Sequence, residues 1–128
     1  VSKGRIRWKK APQARDLQAA GQYLGLLEPP AAAAALVRSL RAAGNTEHAA
    51  KDLLRASGLP LLTREESQVA QDLKRIRKGR ALAPVLLIQG DAGRAVALTV
   101  ADGYHRICAA WYHDEDAPIA CRLARRTT

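Results

Sequence analysis

Phenylalanine and methionine are absent from the 128 residues, and aromatic side chains amount to only 4%. The core must therefore be built from Leu, Ala, Val and Ile. Cysteine is scarce, with only Cys108 and Cys121, and such usage fits a cytosolic protein with two reduced, buried thiols. No run of eighteen apolar residues occurs, so no segment reads as a membrane span. The basic start, Val1 to Lys10, has no apolar stretch behind it and does not read as a secretory signal. Internal repeats and long low-complexity segments are also missing. Acidic residues are few, 12 against 21 Lys and Arg, for a formal net charge of +9. A chain of this length fits one compact unit with an adequate core.

The positive charge is clustered. Lys3, Arg5, Arg7, Lys9 and Lys10 form one run without an acid, and Lys74, Arg75, Arg77, Lys78 and Arg80 form another. Arg122, Arg125 and Arg126 lie near the end. Such patches favour polyanions through counterion release, although charge runs are more commonly a solvated surface. Trp8 either stacks on a base or anchors the arm on the core, and the second is the commoner role for Trp.

The first half, residues 1–58, reads as a basic arm followed by helices. Leu17, Ala20, Tyr23, Leu24 and Leu27 have helical spacing over residues 14–27. Pro29-Pro30 breaks that helix, and Pro30 suits the first turn of the next, which runs to Ala43 before Gly44. Thr46 is expected to cap a third helix that carries His48 in its first turn and stops at Gly58.

The second half, residues 59–128, alternates helix and strand. Leu59–Leu62 is expected as an edge strand that tolerates Pro60. Thr63-Arg64-Glu65-Glu66 matches a capping box ahead of a helix with a Val69, Leu73, Ile76 stripe, ended by Gly79. Strands are expected over 84–88, 95–101 and 119–123, and a helix over 102–113. The fold class expected is α+β, with N-terminal helices followed by a small mixed sheet packed with helices.

The most informative segment is Ala101-Asp102-Gly103-Tyr104-His105-Arg106, where a strand gives way to a helix. Asp102 is expected as the helix N-cap, and Gly103 permits a tight turn. His105 and Arg106 then fall where free N–H groups and the helix dipole favour an anion. Asp102, Gly103, Tyr104, His105 and Arg106 are thus the candidate phosphate- or nucleotide-binding residues. The competing role for Arg106 is a structural ion pair with a neighbouring acid.

Other constellations carry less. His113-Asp114-Glu115-Asp116 offers metal-capable atoms, but adjacent residues on a turn seldom converge on one ion, so no metal site is assigned. His105 with Asp102 and Glu65 or Glu66 is a conceivable acid–base set. Cys108, three residues after His105, is a conceivable thiolate partner, with a core thiol the commoner reading. The third helix, the Ser57–Leu62 connection and the following helix also resemble a helix-turn-helix. In that arrangement Lys74, Arg75, Arg77 and Lys78 would meet DNA, but from the wrong end of a recognition helix.

The order of features over residues 59–124 resembles the ParB/sulfiredoxin-like (ParB-like nuclease domain) superfamily. It rests on Leu73, Ile76, Gly79, Leu82, Pro84–Ile88, Val96–Val100, Asp102–Arg106, Ala109 and Pro118–Leu123. The resemblance implies a phosphate-binding Gly-x-x-Arg turn at Gly103–Arg106. Sulfiredoxins carry a cysteine immediately before the His-Arg pair; Tyr104 stands there, so sulfiredoxin chemistry is not implied. Chromosome-partitioning members continue into a helix-turn-helix and a dimerisation region, which a chain stopping at Thr128 is expected to lack.

These readings imply a small cytosolic bacterial protein that binds a nucleotide or another phosphate ligand, alone or with Mg²⁺. Nucleotide hydrolysis, phosphotransfer and nuclease action are the open chemistries. The rival reading is a non-catalytic DNA-binding or toxin–antitoxin-type accessory protein that uses Lys74, Arg75, Arg77, Lys78 and Arg80.

Overall fold

The computed structural model of the protein describes residues 4–127, and Lys3 of the basic arm lies outside the described residues. The chain forms α1 (Ala14–Leu24), α2 (Pro30–Ala42), β1 (Thr46–Ala49), α3 (Ala50–Ser57), α4 (Ser67–Arg77), β2 (Val85–Ile88), β3 (Thr99–Asp102), α5 (Tyr104–His113) and β4 (Pro118–Ala124). This is the expected α+β architecture.

The strand order is β1-β4-β2-β3. β4 runs antiparallel to β1 and parallel to β2, and β2 runs antiparallel to β3. Alternation along β2 divides the core. Leu86 and Ile88 join Ala101 and Ala124 under Leu17, Leu24, Leu36 and Leu40 of α1 and α2. Val85 and Leu87 face the other way, with Ile119, Cys121, Leu53 of α3 and Ile107 of α5. Val69, Leu73 and Ile76 then pack α4 against Cys108 and Ala109 on α5. The sheet is therefore covered on both faces, with the early helices forming one cover.

Several local expectations need correction. Thr46–Ala49 is a strand, not the start of a helix, and His48 is exposed on it. The β4 edge explains this: Thr46 through Ala49 pair with Cys121 back to Pro118, which gives that edge's backbone groups partners. The helix begins only at Ala50 and stops, as expected, at Gly58, whose φ is +69°. Leu59–Leu62 is not a strand; its carbonyls at Pro60 and Leu62 accept the hydroxyls of Tyr104 and Tyr112 instead. The cap of α4 is Glu66, whose carboxylate accepts from the Gln68 and Val69 N–H groups at 3.2 and 2.9 Å. Thr63 contributes only a backbone carbonyl, which accepts from the Glu66 N–H. β3 starts at Thr99, later than expected, because Val96 is engaged with Asp91 across the preceding turn. α1 likewise ends a turn early, at Leu24.

The helix-turn-helix arrangement is not formed. α3 and α4 are separated by residues 58–66, and each packs against α5. Arg122 also departs from the surface role suggested by its charge. It is 8% exposed on β4, and its guanidinium donates to the carbonyls of Leu40, Arg41 and Lys10 and to Asn45 Oδ1. A cation thus closes the carbonyl end of α2, where the helix dipole favours it.

Candidate functional site

The strand-to-helix turn opens at the end of β3. Gly103 takes φ +108° and serves as the N-cap of α5, with no side chain to bond the first-turn N–H groups. Asp102 is therefore not the cap that the sequence suggests. Its carboxylate turns to Arg106, four residues on, with Oδ2 3.0 Å from Nη2. Burial pushes the Asp102 carboxyl above its ordinary range, and the Arg106 charge offsets only part of that effect.

Arg106 itself is folded inward. Its side chain is 15% exposed, and Nη2 also donates to the Pro84 carbonyl at 3.2 Å. Nε is buried without a hydrogen-bond partner. The sequence places this side chain away from the core with its charge presented outward; the structure places it in an ion pair against β2. Tyr104 points elsewhere. Its ring packs with the α4–α5 cluster and its hydroxyl donates to Pro60, so it is not among the cleft-lining residues.

His105 remains on the open side. It is 37% exposed, and its Nε2 lies 3.7 Å from Glu66 Oε2. Hydrogen bonding from the Val69 N–H holds the Glu66 carboxyl below its ordinary value, helped by the Gln68 N–H and His105. Cys108 is fully buried between α4 and α5, and burial raises its thiol pKa. It is a core thiol.

Asp102, Gly103, His105 and Arg106 line a polar cleft of about 350 Å³. Its other walls come from elements not assigned to the site by sequence: Arg15 and Asp16 of α1, and Gln68, Gln71, Asp72 and Arg75 of α4. Two of these acids are largely withdrawn from solvent, Asp16 at 6% and Asp72 at 7% exposure. Asp16 Oδ2 accepts from the Gln13 N–H at 2.9 Å, and Asp72 Oδ1 holds Arg75 at 2.8 Å. A sequence signal for Asp72 exists: it interrupts the apolar stripe between Val69 and Leu73. Nothing local marks Arg15, which reaches the site only because α1 covers β3.

With three carboxylates already engaged by partners, what the cleft leaves open is the α5 N-terminus, His105, Arg15 and two glutamine amides. These are predominantly hydrogen-bond donors. Of the remaining candidates, Lys74, Arg77, Lys78 and Arg80 are exposed outside the cleft, and Arg75 belongs to its wall. Among the described residues, no three His, Cys, Asp or Glu side chains converge as metal ligands. Among the same residues, no helix is long and apolar enough to cross a membrane. Comparison of the chain with protein families, curated proteins and solved structures finds no match.

Proposed function

We propose that the protein binds a small phosphate-bearing ligand, a nucleotide first among them, in the cleft at the start of α5. The observation that carries this reading is the meeting of three elements there: the side-chain-free N-cap Gly103, His105 beside it, and Arg15 facing it from α1. Helix N–H groups and the dipole favour an anion at such a place. A volume of about 350 Å³ lies within the range of small-ligand pockets. The ParB/sulfiredoxin-like order of elements supports the same turn. Arg106 has a positioning part: paired to Asp102, it braces the turn, while His105 and Arg15 meet the ligand.

A thermal-shift series with nucleoside mono-, di- and triphosphates, with and without Mg²⁺, tests the reading. A ligand at a hundred times its Kd adds about 2.7 kcal/mol to stability, which raises Tm by roughly 5 °C or more. Calorimetric titration should then show His105→Ala and Arg15→Ala each weakening the best ligand about tenfold, the effect of one charged hydrogen bond. Absence of a shift with every nucleotide, and with pyrophosphate, would remove the reading.

A further inference from the structure

We infer that the two basic runs form one surface, and that this surface tracks the phosphates of a nucleic-acid duplex. The runs are far apart in sequence, but the chain brings them together at Leu82. The Leu82 N–H donates to the Arg7 carbonyl at 2.9 Å, and the Lys9 N–H donates to the Leu82 carbonyl at 2.8 Å. Arg7 Nη1 also donates to the Gly79 carbonyl at 3.2 Å. The arm is thereby fixed beside the end of α4 and cannot act as a free tail.

The charge on this surface is largely uncompensated. Arg5 lies 3.9 Å from Glu47, with both side chains well exposed, and Arg75 is paired with Asp72. Among the described residues, no carboxylate comes within ion-pair distance of Arg7, Lys9, Lys10 or the other four cations of residues 74–80. The helix dipole gives Lys74 and Arg77 a structural reason to end α4. It gives none to Arg80, Lys9 or Lys10, which lie outside that helix.

The chemistry of the surface selects among polyanions. Trp8 is half-buried between the arm and the core, and its Nε1 donates to the Pro118 carbonyl at 3.2 Å. Ile6 is also packed. Among the described residues the ridge therefore presents no aromatic platform for unstacked bases, which single-strand binders use. It also presents no apolar anchor of the kind that inserts into a bilayer interface. Exposed cations without an aromatic platform or an apolar anchor suit the phosphate backbone of a duplex, bound chiefly through its charge. This inference does not rest on the cleft.

Fluorescence anisotropy with a labelled DNA duplex of arbitrary sequence, about 24 base pairs long, tests it across salt. With about six phosphates neutralised, affinity should fall by roughly three orders of magnitude between about 50 and 200 mM salt. Lys9→Gln with Lys10→Gln, and separately Lys74→Gln with Lys78→Gln, should each reduce the logarithmic salt slope by about two. If either variant loses cooperative unfolding, the single changes Lys9→Gln and Lys78→Gln replace it, each with a slope change of about one. No binding at the lowest salt overturns the proposal. So does a slope that responds to the α4 pair alone, a preference above tenfold between unrelated duplexes, or tighter binding to phosphatidylserine vesicles than to the duplex.

Discussion

Arg106 lies back across Gly103. A Cβ added to Gly103 would sit 2.9 Å from Arg106 Nη2 and 3.0 Å from Val85 Cγ2. The glycine is needed twice, once for its φ of +108° and once for the space that the guanidinium occupies. Gly103→Ala should therefore destabilise the protein by about 2 kcal/mol or more, the scale of a strained backbone with steric conflict added. In combination with Arg106→Ala the conflict with the guanidinium should vanish while the backbone part and the Val85 contact stay, so the two changes should be less than additive. Urea unfolding of the single and double variants measures this, and strict additivity would contradict the contact.

Arg106→Ala alone should be costly to the fold. It leaves the Asp102 carboxylate largely buried without its ion-pair partner, and removing one partner of a buried pair costs about 3 kcal/mol or more. Asp102→Asn, with the amide still able to accept from Nη2, should cost less. Equilibrium unfolding near neutral pH compares them, and equal, small losses would mean that the pair is effectively solvated.

The pH dependence follows from burial. The folded-state pKa of Asp102 is raised, so the folded protein holds that proton more tightly than the unfolded chain does. Its contribution to stability is full below the ordinary carboxylate range and is lost as pH rises through the raised folded value. Asp102→Asn should abolish this component, seen as a steeper acid-side loss of Tm in the variant than in the parent. Parallel Tm curves in acid would refute the assignment.

How much of this was legible in the sequence depends on what each residue answers to. Pro30 and Gly58 bound their helices as read, because φ restriction and left-handed capping are local properties. The Val69, Leu73, Ile76 stripe was equally plain. Thr46–Ala49 was misread because a polar, exposed edge strand has no apolar alternation to reveal it; its conformation answers to β4, far along the chain. Asp102 was misread because its carboxylate had two kinds of donor within reach, and a cation one turn later won over the N-cap role. The Gly103–Arg106 turn itself was visible, but Arg15 and Arg75 joined it only through packing.

Arg122 should be far more sensitive to substitution than its exposed neighbour Arg125. Arg122→Ala leaves the carbonyls of Leu40, Arg41 and Lys10 and the Asn45 side chain without their donor, and should cost about 3 kcal/mol. Arg125→Ala, at an exposed neighbour, should lie within about 0.5 kcal/mol of the parent. Comparable effects from the two would remove the capping role.

Both thiols should be silent in the native state. Burial raises the Cys108 pKa and takes Cys121 up to about 12, and the reactive species is the thiolate. A disulfide reagent at mildly alkaline pH should find no thiol in the folded protein and both in denaturant. Prompt labelling of either one would show that its cover opens readily.

The place of β4 in the sheet bears on how the molecule comes to be made. Every other element of the structure precedes it in the chain, and it joins β1 to β2. Thr46 meets Cys121 across the whole intervening sequence, a long loop to close before any reward from pairing. During synthesis, α1 and α2 emerge long before the strand that supplies Arg122 to the end of α2. Until β4 clears the ribosome, β1 has no neighbour and β2 lacks one of its two. The sheet therefore cannot close until β4 is made, and over the about thirty residues between them β2 has the early helices to pack against but one open edge.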